Sequence, residues 1–382
     1  MATRRRRRFV IRTTGTYNRP DGVSVATTPP HPDPHSGPPR RPTQVDLARA
    51  AEVSQATVSL IINETPDRPS RVSEQTRERV LSAAARLGYT MNAAARALKG
   101  GRNHLLGLYT FEAMFPVDQR DFYFPFLLGV EERAAELGYD LLLFSASAGR
   151  ARRGVYEDGS NRLKVADGCV LLGRHVDRDV LERMRADGFP FVFIGRRETE
   201  TGAIDYVAPD YRGATAELVR TLADTGHRRP VLIRQPDGEE PGEDRLAGFL
   251  AGCNQAGLEV EDAQVVEGVP TAEQVAAWHR DGADALLVEP SEDDSALEAV
   301  ELACAAAGVA VPADLTLAVL GDPQRTPGSP DWMRLELPRA DLGRAAVSLL
   351  TDILDDGDAP RHQLMACTLV VGDTFAPRGA RA

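Results

Sequence analysis

The stretch EVSQATVSLIIN, residues 52–63, decides the fold of the first part of the chain. Apolar side chains recur in it at helical spacing, at Val58, Ile61 and Ile62. Most other positions are polar, at Gln55, Thr57, Ser59 and Asn63, with Leu60 as an apolar exception. The pattern fits an ordinary amphipathic helix, and it equally fits a helix whose polar side contacts a partner. The neighbouring sequence separates the two interpretations.

Two further helical segments flank this stretch. TQVDLARAAE, residues 43–52, predicts a short helix, and only Val53 and its neighbours separate it from the next helix, which Ser54 can cap. SEQTRERVLSAAARLGY predicts a longer helix that is capped by Ser73 and ends at Gly88. Its apolar face is predicted to carry Val80, Leu81, Ala84 and Leu87. Two helices that cross at a tight turn, followed by a third, are therefore expected.

The first 41 residues have a different composition. They contain five consecutive Arg and many Pro but few large apolar side chains, so burial cannot offset the entropy lost on ordering. We predict a disordered Arg/Pro-rich extension over residues 1–41. Three interpretations of its Arg run stay open: non-specific phosphate contacts, a solvated tail, or an over-long start of the reading frame.

Charge is distributed unevenly along the chain. The net charge of −11 combines +6 over residues 1–40 and +4 over residues 41–102, which leaves −21 for the remaining 280 residues. A basic front on an acidic body is expected when only the front meets a polyanion such as nucleic acid. Solubility alone would explain the acidic body but not the change of sign.

After Arg102 the chain alternates short apolar runs with amphipathic helices. Strands are predicted at HLLGLYTF, DLLLFSAS, ADGCVLLG, PFVFIGR, RPVLIRQ, DALLVEP and LTLAVLG, and helices at FPFLLGVEERAAELGY and over residues 178–187, 212–225, 244–256 and 294–307. Such alternation indicates parallel sheets covered by helices on both faces. This length predicts two doubly wound lobes, whose ligands bind beyond the carboxyl ends of strands or in the cleft between the lobes.

Composition argues against several classes of protein. No apolar run approaches the roughly 20 residues that a membrane helix needs, and the start lacks the apolar segment of a secretory signal. The cysteines are far apart, which favours reduced structural thiols in a cytoplasm over a zinc site or a disulfide framework; they are Cys169, Cys253, Cys304 and Cys367. The phosphate-binding, zinc-protease and nucleophile-elbow motifs are absent from the sequence, so neither an enzyme nor a cofactor is expected.

Two long patterns resemble the LacI (lactose repressor) family of bacterial transcriptional regulators. VDLARAAEVSQATVSLIIN and RVSEQTRERVLSAAARLGYTMNAAARAL resemble the family's headpiece, which begins close to VA..AGVS..TVSR.LN. FLLGVEERAAELGYDLLL, VAPDYRGA, TGHRRPVLI and DRLAGFLAG follow in the family's order, so the match spans roughly residues 43–378. The resemblance implies an all-α helix-turn-helix headpiece joined to an α/β two-lobed periplasmic-binding-protein-like domain with doubly wound parallel sheets. It also implies a repressor that binds double-stranded operator DNA as a homodimer and responds to a small-molecule effector, with a sugar favoured.

The resemblance and the composition together predict four parts. They are the extension (1–41), the headpiece (42–90), a hinge helix and linker (91–102), and an effector-binding and dimerisation domain (103–382). The first lobe is predicted over about 103–204 and 335–360, and the second over about 205–334 and 361–378. No heptad repeat follows the body, so a dimer is favoured over a coiled-coil tetramer.

The second helix of a helix-turn-helix enters the major groove by its N-terminal residues. The residues expected to face the bases are Gln55, Ala56, Thr57 and Leu60. Gln can bridge adenine N6 and N7, Ala can touch a thymine methyl, and Thr can do either. The family commonly has Arg in place of Leu60, whereas Leu can pack on a thymine methyl or on the headpiece surface. We therefore predict an operator without the guanine preference read from that position. The resemblance assigns backbone contacts to Ser54, Ser59, Asn63, Arg71, Ser73 and Thr76. For Thr57 and Ser59, local hydrogen bonding within the helix is the alternative.

The segment NAAARAL matches the hinge helix that the family forms on operator binding. The resemblance implies that Leu98 wedges into the minor groove, with Asn92 and Arg96 holding the DNA backbone nearby. Packing of Leu98 between headpiece and body is the alternative. Met91 stands where the family usually has Pro, which would loosen the start of the hinge helix.

Candidate effector contacts are spread over both lobes. By position in the family they are Phe122, Tyr123, Arg196, Asp210, Arg245, Asp322 and Trp332. Arg245 matches a family position that often bonds sugar hydroxyls, whereas an Arg in a cleft is also often half of an inter-lobe ion pair. An aromatic face at Trp332 suits a sugar ring.

Two departures from the family leave the effector open. EPSEDDS replaces the family's Asn-Asp after one strand, and LGDPQ replaces its G.DD, which leaves Asp322 and puts Gly321 in place of the first Asp. A sugar, an unusual sugar, a non-sugar or no effector at all stay possible. The competing function is a soluble solute-binding protein without a regulatory role on DNA. The body alone permits that function, but the attached headpiece opposes it, and specific binding to a DNA duplex separates the two.

Overall fold

The computed structural model describes residues 42–62, 72–89, 102–111, 120–145, 154–236, 238–261, 264–291, 294–324, 328–356 and 361–379. They fall into two units divided at Met91. The predicted extension and hinge helix lie outside the described residues, as do Asn63, Arg71, Asn92, Arg96 and Leu98. The domain boundaries in those segments therefore stay predictions.

Three helices form the first unit. They are α1 (Gln44–Ala51), α2 (Gln55–Ile62) and α3 (Glu74–Leu87). Each begins after a hydroxyl side chain that accepts a hydrogen bond from the backbone N–H three residues on, at Thr43, Ser54 and Ser73. Gly88 ends α3 in the left-handed conformation. The caps predicted at Ser54 and Ser73 and the predicted end at Gly88 are confirmed.

One small core holds the three helices together. Its buried side chains are Leu47, Ala48, Ala51, Val58, Ile61, Val80 and Ala83. The predicted face of α3 is wrong in part, because Leu81 and Leu87 are exposed and Ala83 is buried instead. Ala83 and Ala84 lie three and four residues after Val80 and share its stripe, whereas Leu81 is rotated by about 100°.

The first lobe of the second unit is built on a parallel six-stranded sheet with the order β15-β9-β6-β5-β1-β2. Its strands are β1 (Leu105–Thr110), β2 (Asp140–Ser145), β5 (Gly168–Leu172), β6 (Phe191–Ile194), β9 (Tyr206–Pro209) and β15 (His362–Met365). Helices α4 (Arg120–Glu136) and α10 (Arg339–Asp356) cover one face, and α5 (Arg178–Ala186) covers the other. Smaller elements are the hairpins β3–β4 (156–161) and β7–β8 (198–203) and a 3-10 turn, Arg162–Val165.

The second lobe repeats this design. Its sheet has the order β11-β10-β12-β13-β14-β16 and is parallel except for the β14–β16 pair. The strands are β10 (Pro230–Arg234), β11 (Val265–Glu267), β12 (Ala285–Val288), β13 (Thr316–Val319), β14 (Met333–Glu336) and β16 (Thr368–Val370). The helices on one face are α6 (Tyr211–Asp224) and α7 (Glu240–Gln255), and those on the other are α8 (Ala272–Arg280) and α9 (Ser295–Ala307). The predicted pair of doubly wound lobes is confirmed.

The chain crosses between the lobes three times, after β9, after β14 and after β15. The predicted lobe boundaries need correction, because β9 and β15 belong to the first sheet and β14 extends to Glu336 in the second. Backbone pairing decides this membership: β9 hydrogen-bonds to both β6 and β15. Helices α4 and α7 also begin four residues before their predicted starts, and each contains a proline near its beginning, Pro125 and Pro241.

Candidate DNA-reading helix and inter-lobe cleft

Helix α2 has one side buried in the headpiece core and an outer face of exposed side chains. Val58 and Ile61 are buried in the headpiece core, while Gln55 and Ala56 are exposed and Leu60 is 58% exposed. Gln55 has no hydrogen-bond partner among the described residues. This answers the question raised by the sequence: the helix is amphipathic, and its outer side is available for contact.

Thr57 is held differently. Its hydroxyl lies 2.8 Å from the Ser54 Oγ, which also accepts the Thr57 N–H. The local hydrogen bond named as the alternative for Thr57 is therefore present. Its role in base reading stays a prediction.

The first turns of α2 and α3 share one arrangement of hydroxyl groups. The hydroxyl oxygens of Ser73 and Thr76 are 2.9 Å apart at the start of α3. Those of Ser54 and Thr57 are 2.8 Å apart at the start of α2. A helix N-terminus carries partial positive charge and unpaired backbone N–H groups, which suit phosphate oxygens. This geometry favours contacts between both helix starts and the sugar-phosphate backbone of DNA.

A cleft lies between the two lobes, beside the carboxyl ends of their strands. Its empty space is about 1290 Å³ including the open mouth. Five predicted effector residues line it: Phe122, Tyr123, Arg196, Arg245 and Asp322. Pro290, Leu337, Ile194 and Phe126 add apolar surface. A cleft of this kind can hold a ring-shaped ligand.

Two predicted effector residues need correction, because other contacts hold their side chains. Asp210 caps α6, where its carboxylate accepts the Gly213 N–H at 2.8 Å. Trp332 is buried in the core of the second lobe, and its Nε1 donates to Glu301 at 2.8 Å. Neither is among the described residues that line the cleft.

Arg245 is fixed at the cleft by three contacts. Its Nε donates to the Leu320 carbonyl at 2.8 Å, its Nη1 donates to Glu289 at 3.0 Å, and its guanidinium lies 3.9 Å from the centre of the Tyr211 ring. Glu289 and Tyr211 also line the cleft, and sequence reasoning missed both. The only signal was indirect, since Glu289 begins the departure EPSEDDS and Tyr211 lies within the motif VAPDYRGA.

Ion pairs join the two lobes beside the cleft. Arg196 of the first lobe donates to Asp244 of the second at 2.9 Å, so the alternative of an inter-lobe ion pair is confirmed for this residue. Nearby, Glu240 at the start of α7 accepts from Arg178 and from the Glu198 N–H, both at 2.9 Å. We call Glu240 with its first-lobe partners the latch.

The latch carboxylate is charged although it is buried. Burial opposes the charge on Glu240, but hydrogen bonds from the N–H groups of Glu198 and of Glu240 itself, and the charges of Arg197 and Arg178, outweigh that effect. The pKa of Glu240 therefore lies below its ordinary value of 4.5. At neutral pH the latch is an ionised contact between lobes.

The departure at LGDPQ has a steric reason. A side chain on Gly321 would meet the Pro290 ring, with its Cβ 2.7 Å from Cγ. Asp322 instead pairs with Arg339 of the first lobe at 3.2 Å and with Arg334 at 3.5 Å. The carboxylate that remains in this motif is thus already bound within the protein.

Comparison with known proteins places the chain in a family. Residues 43–92 match the model of bacterial regulatory proteins of the lacI family, and residues 219–375 match the periplasmic binding protein-like domain. The HTH-type transcriptional regulator CelR of Thermobifida fusca is 31% identical over 82% of this chain and 92% of its own length. The chain belongs to the LacI family. It is a DNA-binding transcriptional regulator, as the sequence patterns predicted.

Other relatives agree with this assignment. The regulator MalR of Streptomyces coelicolor is 30% identical over 88% of this chain and 97% of its own length. A solved CelR–cellobiose complex matches with a TM-score of 0.56 and 26% identity, covering 88% of this chain and 100% of that one. The lac repressor dimer bound to operator matches with a TM-score of 0.62 over 88% of this chain and 99% of that one, and its 22% identity supports the fold alone.

The four cysteines of this LacI-family chain are buried or half-buried. All four cysteines are free thiols, and burial raises the pKa of Cys253 and of Cys304 to about 11, so neither is a reactive thiolate. Among the described residues, no group of His, Cys, Asp and Glu side chains is placed to hold a metal ion. Nor does any described helix combine the length and apolarity needed to cross a membrane.

Proposed function

We propose that this regulator is a repressor that binds a pseudo-palindromic operator as a homodimer and whose affinity is set by a sugar in the cleft. The observation that carries the proposal is the outer face of α2, where Gln55 and Ala56 project from a helix anchored by Val58 and Ile61. The two exposed residues stand at the N-terminal turn, which enters the major groove in helix-turn-helix proteins. The basic charge of residues 1–102 favours a polyanionic partner.

The proposed DNA contacts follow from this face. Gln55, Ala56, Thr57 and Leu60 read bases, while Ser54, Ser59, Ser73 and Thr76 hold the sugar-phosphate backbone together with Asn63 and Arg71. In the hinge segment, Leu98 inserts into the minor groove, flanked by Asn92 and Arg96. Selection of operators from random duplexes by the purified protein tests this assignment. Recovery of no site with two related half-sites would overturn it.

A homodimer matches the two-fold symmetry of such an operator. Phe124 is 61% exposed and Leu128 lies one turn further along α4, also exposed. We assign this apolar surface to the dimer contact. Phe124→Glu should shift the protein to monomers in sedimentation and weaken operator binding, whereas the exposed change Glu136→Gln should do neither.

The cleft supports a ligand-controlled switch. The relative CelR is known in complex with cellobiose, so cellobiose is the first probe for this chain. A ligand can shift operator affinity only through different affinities for two states of the lobes. Operator titrations with and without cellobiose and other sugars measure this coupling and its sign. The proposal includes no turnover of the ligand and a cytoplasmic location where DNA is accessible, and conversion of bound sugar to product would contradict it.

A further inference from the structure

Arg245 retains unpartnered N–H groups at the cleft, on Nη2. Its Nε and Nη1 are bound to the Leu320 carbonyl and to Glu289, while Nη2 has no hydrogen-bond partner among the described residues. Arg245 is only 6% exposed, and its guanidinium rests on the Tyr211 ring. The guanidinium therefore cannot turn toward a ligand, and the protein fixes the direction of its remaining donors.

Glu289 neutralises Arg245 at this position. Glu289 is 3% exposed, and its carboxylate accepts from Arg245 with Oε1 and from the Gln235 N–H at 3.1 Å with Oε2. Both partners are thus fixed, and the pair presents a donor without net positive charge. An anionic ligand group at Nη2 would lose its hydration next to the buried negative charge of Glu289. The Arg245–Glu289 pair has no net positive charge to offset that cost.

The other arginines at or beside the cleft are also held by contacts within the protein. Arg196 is bound to Asp244, and Arg339 is bound to Asp322. Arg197 donates to the carbonyls of Gly173 and Arg174, and Arg174 donates to the Pro290 carbonyl. The Tyr211 hydroxyl, in contrast, has no hydrogen-bond partner among the described residues, and it can both donate and accept. A ligand hydroxyl can exchange hydrogen bonds with Tyr211 and accept one from Arg245, whereas a carboxylate can only accept.

We propose that the cleft selects a neutral, hydroxyl-bearing ligand over the corresponding acid, with Glu289 enforcing the choice and the Tyr211 hydroxyl completing the contact. This inference rests on the proposed sugar effector and narrows it to neutral sugars. It makes Tyr211 and Glu289 specificity-determining residues of the cleft.

Calorimetric titration of the full chain with matched pairs tests the selection. The probes are glucose against gluconate and cellobiose against cellobionate, at constant ionic strength. The wild type should bind the neutral member of a pair at least about tenfold more tightly. Glu289→Gln keeps the shape of the side chain but leaves Arg245 charged, so it should reduce that preference about tenfold. Tyr211→Phe should weaken binding of the neutral sugar about fivefold.

Glu261→Gln is the matched control. Glu261 pairs with Arg229 at 2.7 Å in the same lobe, is exposed, and does not line the cleft, so its loss changes the net charge equally without changing the preference. Melting curves and operator binding show that each variant is folded. Because the wild-type ratio needs no variant, it tests the selection even where Glu289→Gln does not fold.

Three results would overturn the inference. Equal or tighter binding of the acids by the wild type contradicts the selection while leaving a ligand-controlled switch in place. An unchanged ratio in folded Glu289→Gln removes the assigned role of Glu289. Absence of binding by every neutral sugar and acid overturns this inference and the sugar effector together, whereas selection of an operator would still stand.

Discussion

The outer face of α2 and the inter-lobe cleft use polar side chains in opposite ways. On α2, Gln55 is exposed and has no hydrogen-bond partner among the described residues, so it is available to DNA. In the cleft, Arg196, Asp322 and Glu289 already have partners within the protein. The position of α2 therefore depends on the nearby headpiece core. The geometry of the cleft depends instead on ion pairs between segments that are far apart in the sequence. Mutations should separate these two kinds of site.

The largest expected effect comes from the anchor of the helix. Val58→Asp places a charge at a fully buried position, which should cost the headpiece more than about 3 kcal/mol and remove operator binding. Scanning calorimetry should then lose the headpiece transition and keep that of the body. Leu60→Asp, on the exposed side of the same helix, is the matched control and should keep both transitions. Loss of the body transition in Val58→Asp would show that the two units do not unfold separately.

The second prediction concerns which bases the helix reads. Leu60 is exposed one turn after Ala56, and the family commonly has Arg at its position. Leu60→Arg should therefore add a guanine preference worth about 1–3 kcal/mol at one base pair of each half-site. Operator selection with wild type and variant side by side measures the change. An identical selected half-site would remove Leu60 from the set of base-reading residues.

The sequence predicted the headpiece more completely than the cleft, and the reason is physical. Caps at Ser54 and Ser73 and the end at Gly88 depend on residues within one turn, so a local pattern suffices. In the cleft, Arg245 meets Glu289, 44 residues away, and its role depends on that contact. Periodicity cannot reveal such a pair.

The same limit explains two wrong assignments and two missed helices. Trp332 and Asp210 were assigned to the cleft by position in the family, but core packing and helix capping hold their side chains elsewhere. The sequence patterns also gave no prediction for α8 or α10, although both are regular helices. The apolar residues of α10 pack on the first lobe. The points at which the chain returns to each lobe depend on the sheets in which β14 and β15 pair, and that pairing joins residues far apart in the sequence.

The third prediction tests the latch between the lobes. Glu240→Gln removes the charge from a side chain that is 7% exposed and bound to Arg178 and to the Glu198 N–H, so it should destabilise the body by about 1–2 kcal/mol at pH 7. The native pKa of Glu240 is lowered, so its stabilisation is complete above the ordinary value of 4.5 and is lost as pH falls through the native value. Melting temperatures of both proteins from pH 7 to pH 3 should therefore converge at low pH. A gap that stays constant, or one equal to that of the exposed variant Glu136→Gln, would exclude an ionised latch.

The smallest expected effect lies at the turn before α2. Glu52 ends α1 in the left-handed conformation, with φ of 55°, where the family's headpiece pattern has Gly. A side chain in that conformation destabilises the folded headpiece by about 1–2 kcal/mol. Gly removes this strain but makes the unfolded chain more flexible, which offsets part of the gain. Glu52→Gly should therefore stabilise the headpiece by about 0.5–1 kcal/mol, measured as the free energy of unfolding of its own transition.

Glu52→Gln separates conformation from charge at this turn. It removes the same negative charge but keeps the Cβ atom, so it should leave the stability of the headpiece nearly unchanged. Both variants should strengthen operator binding alike, because both remove an anion from the basic part of the chain and operator DNA is a polyanion. If Gln stabilises the headpiece as much as Gly does, charge rather than backbone conformation limits its stability. The packing that holds α2 then depends on the electrostatic field of the headpiece as well as on its apolar contacts.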